Sequence, residues 1–177
     1  MNVTFHALGS FATAAVLSAK LLPCQNCFFL RSDLPFLAIG FSTGVLLHGV
    51  LDFAPHSYPF SAAFDIAFCL VFFATFALLV KRRNLILLVA CYIGFLFPDL
   101  LDLGPAMINK RVNLGLPVFK ASPWHWHVYS GSIYDGSRQF ESNLWHSLVF
   151  STSVILLVRF RQRFFWFSGG VKKQRRN

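Results

Sequence analysis

The sequence predicts an all-α fold, a polytopic transmembrane bundle of about five spans, and three observations carry that prediction. Apolar residues make up 55% of the 177-residue chain and charged residues only 13%, roughly half the charged share of a soluble domain. Nearly uncharged runs of 17 to 21 residues recur along it, the length a helix needs to cross about 30 Å of hydrocarbon. The basic residues stand mostly between and after those runs, as topology-setting charges do. A water-soluble domain of this size cannot hide so much apolar surface.

The first span is read at 4–22. It is the weakest of the five runs, because it contains His6, Gly9, Ser10 and Lys20. No positive side chain precedes it and no small-residue cleavage site follows it, so it is expected to stay as a helix. Spans 34–53 and 60–80 come next, the latter with Asp65 as its single charge. The fourth span is 85–103. Short connections after the second and third spans make those helices antiparallel neighbours. The segment 104–142 carries Pro105, Pro117, Pro123 and four glycines, so it is expected to be a mostly irregular outer loop with a short interfacial helix. The fifth span, 143–159, leads into a basic tail, 160–177, whose Arg and Phe residues suit an anionic headgroup layer. The whole chain reads as one integral-membrane domain.

Orientation follows from the charges. With the N-terminus outside, the inner side holds Lys20, Arg31, Lys81, Arg82, Arg83, Arg159, Arg161, Arg163, Lys172, Lys173, Arg175 and Arg176, which is 12 of the 16 basic residues. The outer side holds Lys110, Arg111, Lys120 and Arg138. The bias places the C-terminus in the cytoplasm, across a bacterial inner membrane or its equivalent. A net charge of +9 would suggest nucleic acid in a soluble protein, but no nucleic-acid module is legible and that partner is excluded. The expected partners are membrane lipids, with a homo-oligomer or a larger membrane complex as the assemblies the chain allows.

The same orientation sorts the polar residues. His6, His48, His56, His125, His127 and His146 all fall on the outer side, with Asp52, Asp65, Asp99, Asp102, Asp135 and Glu141. Ionisable groups inside a bilayer cost roughly 2.5 to 3.5 kcal/mol each on insertion scales, so a few helices shelter many of them only if they satisfy one another. His48 and Asp52 are four residues apart on one helix face, and Asp99 and Asp102 are three apart on another. Every span thus brings a His or an Asp to a similar shallow depth. Imidazoles and carboxylates with no Cys on that side suit a divalent metal, zinc first, with manganese or iron as alternatives. The bland alternative is a polar vestibule whose residues bond one another and water.

The long loop adds to the set. In Pro123-Trp-His125-Trp-His127 the aromatic rings suit an interfacial belt, which leaves the two histidines unexplained. In an extended segment, residues two apart point the same way. The loop is therefore read as a lid that brings His125 and His127 over the vestibule as ligands. Cys24 and Cys27 have ligand or redox spacing but fall on the inner side, away from the histidines. Cys69 and Cys91 read as small apolar residues within spans.

Three short pieces resemble bacterial inner-membrane metal-dependent hydrolases: His6-Ala-Leu-Gly9, Pro98-Asp99-Leu-Leu-Asp102 and His146-Ser147-Leu148. His48-Gly-Val-Leu-Asp52 is similar to a His-x-x-x-Asp that such proteins carry within a span. The resemblance implies a cation held by His6, His48, Asp99, Asp102 and His146, which lowers the pKa of a bound water to roughly 7. It further implies that Asp52 or Asp65 orients a ligand histidine, and that Glu141 or Asp135 moves the proton. A shallow site suggests a lipid ester or phosphoester, with Lys110, Arg111 and Arg138 on a phosphate. The alternative is a non-catalytic subunit of a larger complex whose span histidines ligate haem or chlorophyll. Carboxylate richness favours the hydrolase.

Overall fold

The computed structural model describes residues 3–22, 33–59 and 61–166. The chain is built almost wholly of helix: α1 (Val3–Leu21), α2 (Leu34–Phe53), α3 (Ala62–Leu79), α4 (Arg82–Asp102), the short α5 (Gly104–Val112) and α6 (Gln139–Phe164). Two strands of two residues, β1 (His56–Ser57) and β2 (Ser132–Ile133), complete it. Among the described residues, four helices, α2, α3, α4 and α6, are long and apolar enough to cross a membrane. The all-α class and the apolar spans agree with the sequence, and α2 has the expected bounds.

The helix α1 is not among those four, yet it is the centre of the bundle. It packs against α2, α3, α4 and α6 and buries His6, Ala7, Leu8, Ser10, Phe11, Ala12, Ala14, Ala15 and Ser18. Its many small and weakly polar residues have a structural cause. A helix enclosed by others meets protein instead of lipid, so small and weakly polar residues that admit close neighbours serve it better than long apolar ones. The opposite case is α3, the most apolar helix, which buries only Asp65 and Cys69. Its Phe64, Leu70, Val71 and Leu78 are exposed, Leu78 to 82%. Apolar side chains so displayed suit contact with hydrocarbon.

Glycines bring α2 and α4 into backbone contact. A Cβ on Gly94 would lie 2.2 Å from the Phe41 carbonyl oxygen, and one on Gly44 would lie 2.6 Å from that of Cys91. Small residues at such a crossing let two helices approach closely and gain dispersion contact. This crossing sets His48 and Asp52 of α2 beside Asp99 and Asp102 of α4.

The basic turn at Lys81-Arg82-Arg83 is used for more than topology. Lys81 Nζ donates to the Gln162 carbonyl at 2.7 Å, and Asn84 Nδ2 donates to those of Arg163 and Phe164 at 2.9 and 3.3 Å. These donors satisfy carbonyls left open at the end of α6. Because they belong to the fold, α4 starts at Arg82, three residues before the expected bound. Arg83 pairs with Asp33 through two hydrogen bonds, 3.0 and 2.6 Å, with both side chains only 3% exposed. Arg83→Ala removes the paired cation from a buried carboxylate and should cost on the order of 3 kcal/mol, read as a lower melting temperature in detergent. Asp33→Asn added to Arg83→Met should recover part of the loss.

Asp65 is also spent on architecture. Its Oδ2 accepts from Val3 N at 2.6 Å, and its Oδ1 accepts from Thr4 N at 3.1 Å and Thr4 Oγ1 at 2.6 Å. A carboxylate on the first amides of a helix caps it and complements its dipole. Asp65 therefore caps α1 from a neighbouring helix, in place of the histidine-orienting role expected for it.

The segment after α5 folds back over the ends of α2 and α4. β1 and β2 pair in parallel, His56 with Ser132 and Ser57 with Ile133. Gly131 N donates to the Asp52 carbonyl at 2.8 Å, and His56 N donates to the Gly131 carbonyl at 2.9 Å. Glycine is required at 131, since a Cβ there would lie 2.1 Å from the Ala54 carbonyl oxygen. His56, in β1, is fully buried. It donates through Nδ1 to the Ala54 carbonyl at 2.7 Å and meets Tyr58 Oη and Ser132 Oγ through Nε2, each at 3.1 Å.

Burial pushes the pKa of His56 from 6.5 down to about 4. A histidine depressed in the folded state stabilises it above its unfolded pKa of 6.5 and loses that contribution as the pH falls towards 4. His56→Gln should therefore flatten the fall of melting temperature across that window relative to the parent, as a thermal shift series would read.

Candidate metal centre

Four polar side chains from three parts of the chain converge at one end of the bundle. His48 and Asp52 come from the last two turns of α2, Asp99 from the last turn of α4, and His125 from a 3₁₀ turn, Pro123–His125, in the long loop. One ligand atom from each lies within 4.8 Å of all the others. His48 Nε2 is 3.3 Å from His125 Nε2, 3.2 Å from Asp52 Oδ2 and 3.8 Å from Asp99 Oδ1. His125 Nε2 is 3.2 Å from both Asp52 Oδ2 and Asp99 Oδ1.

Hydrogen bonds on the far side of each ring decide what those nitrogens are. His48 Nδ1 lies 2.6 Å from the Phe95 carbonyl oxygen, which can only accept, so Nδ1 donates. His125 Nδ1 donates to Asp102 Oδ2 at 2.8 Å. Asp102 is held in turn by Ala121 N and Ser122 N, both at 2.9 Å. With Nδ1 as the donor in a neutral ring, Nε2 is an acceptor. Two nitrogen lone pairs and two carboxylates then face one small volume, an arrangement that a bound cation or a shared proton would stabilise. Metal-binding histidines characteristically place the other ring N–H on a carbonyl or carboxylate, as both do here. Bonds of about 2.0 to 2.1 Å set tetrahedral ligand atoms roughly 3.3 Å apart, close to the separations seen. The group can hold a metal ion.

Protons compete for the same place. Burial lowers the pKa of His125, but hydrogen bonds to Asp52, Asp99 and Asp102 outweigh it and raise the value to about 10. The environment thus calls for positive charge, whether carried by imidazolium or by a bound ion. Access is uneven. The His48 side chain is wholly buried, those of His125 and Asp52 are 7% and 8% exposed, and that of Asp99 is 21% exposed. The open side is therefore at Asp99.

The chain matches no protein-family model, no curated protein and no solved structure. The geometry alone supplies the functional argument.

It redistributes the residues expected from sequence. Among the expected ligands, His48, Asp99 and His125 belong to the converging set. Asp52, expected to orient a ligand, lies in the set itself. His6 and Asp102 stand behind it. His6 Nε2 bonds Asp52 Oδ1 at 3.1 Å and its ring stacks on His48 at 4.1 Å, while Asp102 orients His125. His6 Nδ1 is buried and has no hydrogen-bond partner among the described residues.

His127 and His146 stay outside. His127 is exposed, because the 3₁₀ turn and the turn after it replace the extended backbone that would have aimed both rings one way. His146 stacks on Phe5 at 4.4 Å, and its buried Nε2 has no partner among the described residues.

The residues expected to move a proton or hold phosphate lie outside the converging set. Glu141 pairs with Arg138 three residues away, Asp135 accepts from Ser137 N at 2.9 Å, and Lys110 and Arg111 are exposed at the end of α5. Cys24 and Cys27 lie outside the described residues. Cys69 and Cys91 are buried, Cys69 Sγ lying 3.0 Å from Tyr92 Oη.

Two supports were missed by sequence reasoning. The Phe95 carbonyl carries no side-chain signal. Trp124, which lies against Gly49 and 6.2 Å from the His48 ring, had been explained as part of an aromatic belt.

Proposed function

We propose that this protein is a membrane-embedded, metal-dependent hydrolase that acts at a bilayer interface on a lipid ester or phosphoester. The observation that supports it is the convergence of two Nε2 acceptors and two carboxylates, each histidine oriented from behind, with an opening at Asp99. A donor set of two nitrogens and two oxygens suits zinc, with manganese or iron as alternatives. A bound divalent cation lowers the pKa of water to about 7, supplying a nucleophile at neutral pH.

The protein's own residues supply the rest. Phe95 and Asp102 hold the imidazoles in the ligating tautomer. His6 holds Asp52 in place. Asp99, the most open of the four donors, lies on the side from which substrate and a fifth, water ligand would enter, and Glu141 and Asp135 lie outside the set. The shallow position at the helix ends suits a scissile bond at headgroup depth. The 3.3 Å between His48 Nε2 and His125 Nε2 leaves no room for a tetrapyrrole between those rings, which favours the hydrolase over a pigment subunit.

Purified protein loaded with zinc should hydrolyse ester or phosphoester lipids in mixed micelles, and Asp99→Asn should lose at least tenfold in rate. Absence of turnover across both bond classes, with metal bound, would overturn the hydrolase. A visible absorption band in protein as purified would favour the pigment reading.

The orientation we propose has the N-terminus outside and the C-terminus cytoplasmic, since 12 of the 16 basic residues then face inward. A reporter fused after Asn177 should be active only on the cytoplasmic side. Activity on the opposite side would move the site to the inner leaflet.

A further inference from the structure

The segment between α4 and the lid has properties that the metal centre does not use. From Leu103 to Tyr134 the chain holds no acid, but it carries Lys110, Arg111 and Lys120. Met107, Ile108, Val112, Leu114, Val118 and Phe119 are all exposed, between 43% and 64%. A water-facing loop ordinarily shows polar side chains and lets water satisfy its backbone. Here the arrangement is reversed. Asn113, in the left-handed conformation (φ 51°), caps α5 by donating to the Asn109 carbonyl. The Asn109 side chain then bonds Leu116 twice, its Nδ2 donating to the carbonyl and its Oδ1 accepting from the amide, both at 2.8 Å. Gly115 supplies a second positive φ of 63°. The excursion is compact, several of its backbone groups are paired internally, and its apolar side chains point outward.

That combination suits insertion into an apolar or interfacial layer, where unpaired backbone groups are costly and side chains need not be polar. Position agrees. The segment starts directly after α4, and Leu100 of that helix and Leu103 just past its end are exposed at 62% and 40%, so its apolar surface continues the lipid-suited face of the bundle. It ends at Ala121 and Ser122, whose amides bind Asp102. Its charge is of one sign, complementary to anionic phospholipid.

We propose that residues 104–120 form a lipid-docking knob seated in the headgroup layer of the leaflet nearest the His/Asp cluster, with Lys110 and Arg111 recruiting anionic phospholipid. The inference rests on the membrane reading of the bundle and is independent of the metal. Both ends of the knob are tied at Asp102, so docking also holds the carboxylate that orients His125.

The test uses full-length protein reconstituted in phosphatidylcholine bilayers with and without phosphatidylglycerol. A fluorophore is attached at Leu114→Cys in a Cys24→Ser/Cys27→Ser background, since Cys69 and Cys91 are buried. Quenching is then compared for aqueous iodide and for lipids carrying a headgroup nitroxide. The expected result is strong quenching by nitroxide lipid and little by iodide. Phosphatidylglycerol carrying the nitroxide should outcompete its phosphatidylcholine counterpart by about fivefold per engaged cation, and Lys110→Gln/Arg111→Gln should equalise the two. Quenching by iodide alone would place the knob in water and overturn the proposal. Shielding from both quenchers would show that a second copy or another protein covers it, which also overturns it. Equal quenching by the two lipids in the parent would remove the role of Lys110 and Arg111. None of these readouts depends on bound metal or on hydrolysis.

Discussion

His125→Ala should abolish stoichiometric divalent metal binding, measured by elemental analysis after dialysis, and His48→Ala and Asp99→Ala should do the same. Each removes one of four ligand atoms, which weakens any cation at the site. Asp102→Ala acts one step back. It frees the His125 tautomer and ring orientation and should weaken metal by about 10- to 100-fold without abolishing binding. His146→Ala should bind as the parent does, because its ring lies against Phe5 and outside the converging set.

Stability should follow. A ligand that binds only the folded state at 100 times its dissociation constant adds about 2.7 kcal/mol. Chelator should therefore lower the melting temperature of metal-loaded parent and hardly move that of His125→Ala. If the His48, Asp99 and His125 variants all keep stoichiometric metal, the shared centre does not exist, and the hydrolase reading falls with it.

Gly94→Ala should be the most damaging of the glycine-to-alanine changes within the helices. The added Cβ would lie 2.2 Å from the Phe41 carbonyl oxygen and about 3 Å from two further backbone atoms of that residue. Backbone cannot rotate aside as a flexible side chain can, so α2 and α4 must separate. Overpacking typically costs about 1 to 3 kcal/mol, and a backbone clash belongs at the upper end. The consequence reaches the site, because Phe95 follows Gly94 and its carbonyl holds His48. Gly94→Ala should therefore lower both the melting temperature in detergent and the metal affinity. Gly104→Ala is the control, since a Cβ there meets nothing within 4 Å. Equal melting temperatures for the two variants would show that α2 and α4 do not approach as closely as described.

Much of the architecture was legible because a bilayer imposes a length and a composition on each spanning segment. The run 34–53 became a helix with those bounds, and the third and fourth runs became helices within a few residues of theirs. The first run was legible as a helix but not as the central one. Hydropathy measures fitness for lipid, and a helix surrounded by protein is released from that demand, so His6, Ser10 and Gly9 look like weakness when read along the chain. The terminal bounds of α6 were hidden for a related reason. Polar residues from Gln139 to Ser142 and from Arg159 to Arg163 do not resemble a span, yet the helix runs through both ends because neighbouring segments supply partners there.

The candidate site was legible as residue types at one depth. His48 with Asp52 and Asp99 with Asp102 share faces at helical spacings, which any helical reading exposes. Which member of each pair enters the centre was not legible. Asp52 and Asp65 are carboxylates near the ends of successive helices, but one faces His48 and the other meets the first amides of α1. His125 and His127 differ by two positions, and a 3₁₀ turn separates their directions.

By itself, the sequence determined an all-α chain with apolar spans and a shared depth for its histidines and carboxylates. Those properties depend on composition and on spacings within single segments. Only the tertiary structure decided that α1 is enclosed, that α2 and α4 touch at their glycines, and that His48, Asp52, Asp99 and His125 form one group. His48 and His125 are 77 residues apart, and their 3.3 Å separation depends on an interhelical crossing, a two-residue strand pair and the carboxylate of Asp102. Each of those is a contact between distant segments, and such contacts leave no local pattern in the chain.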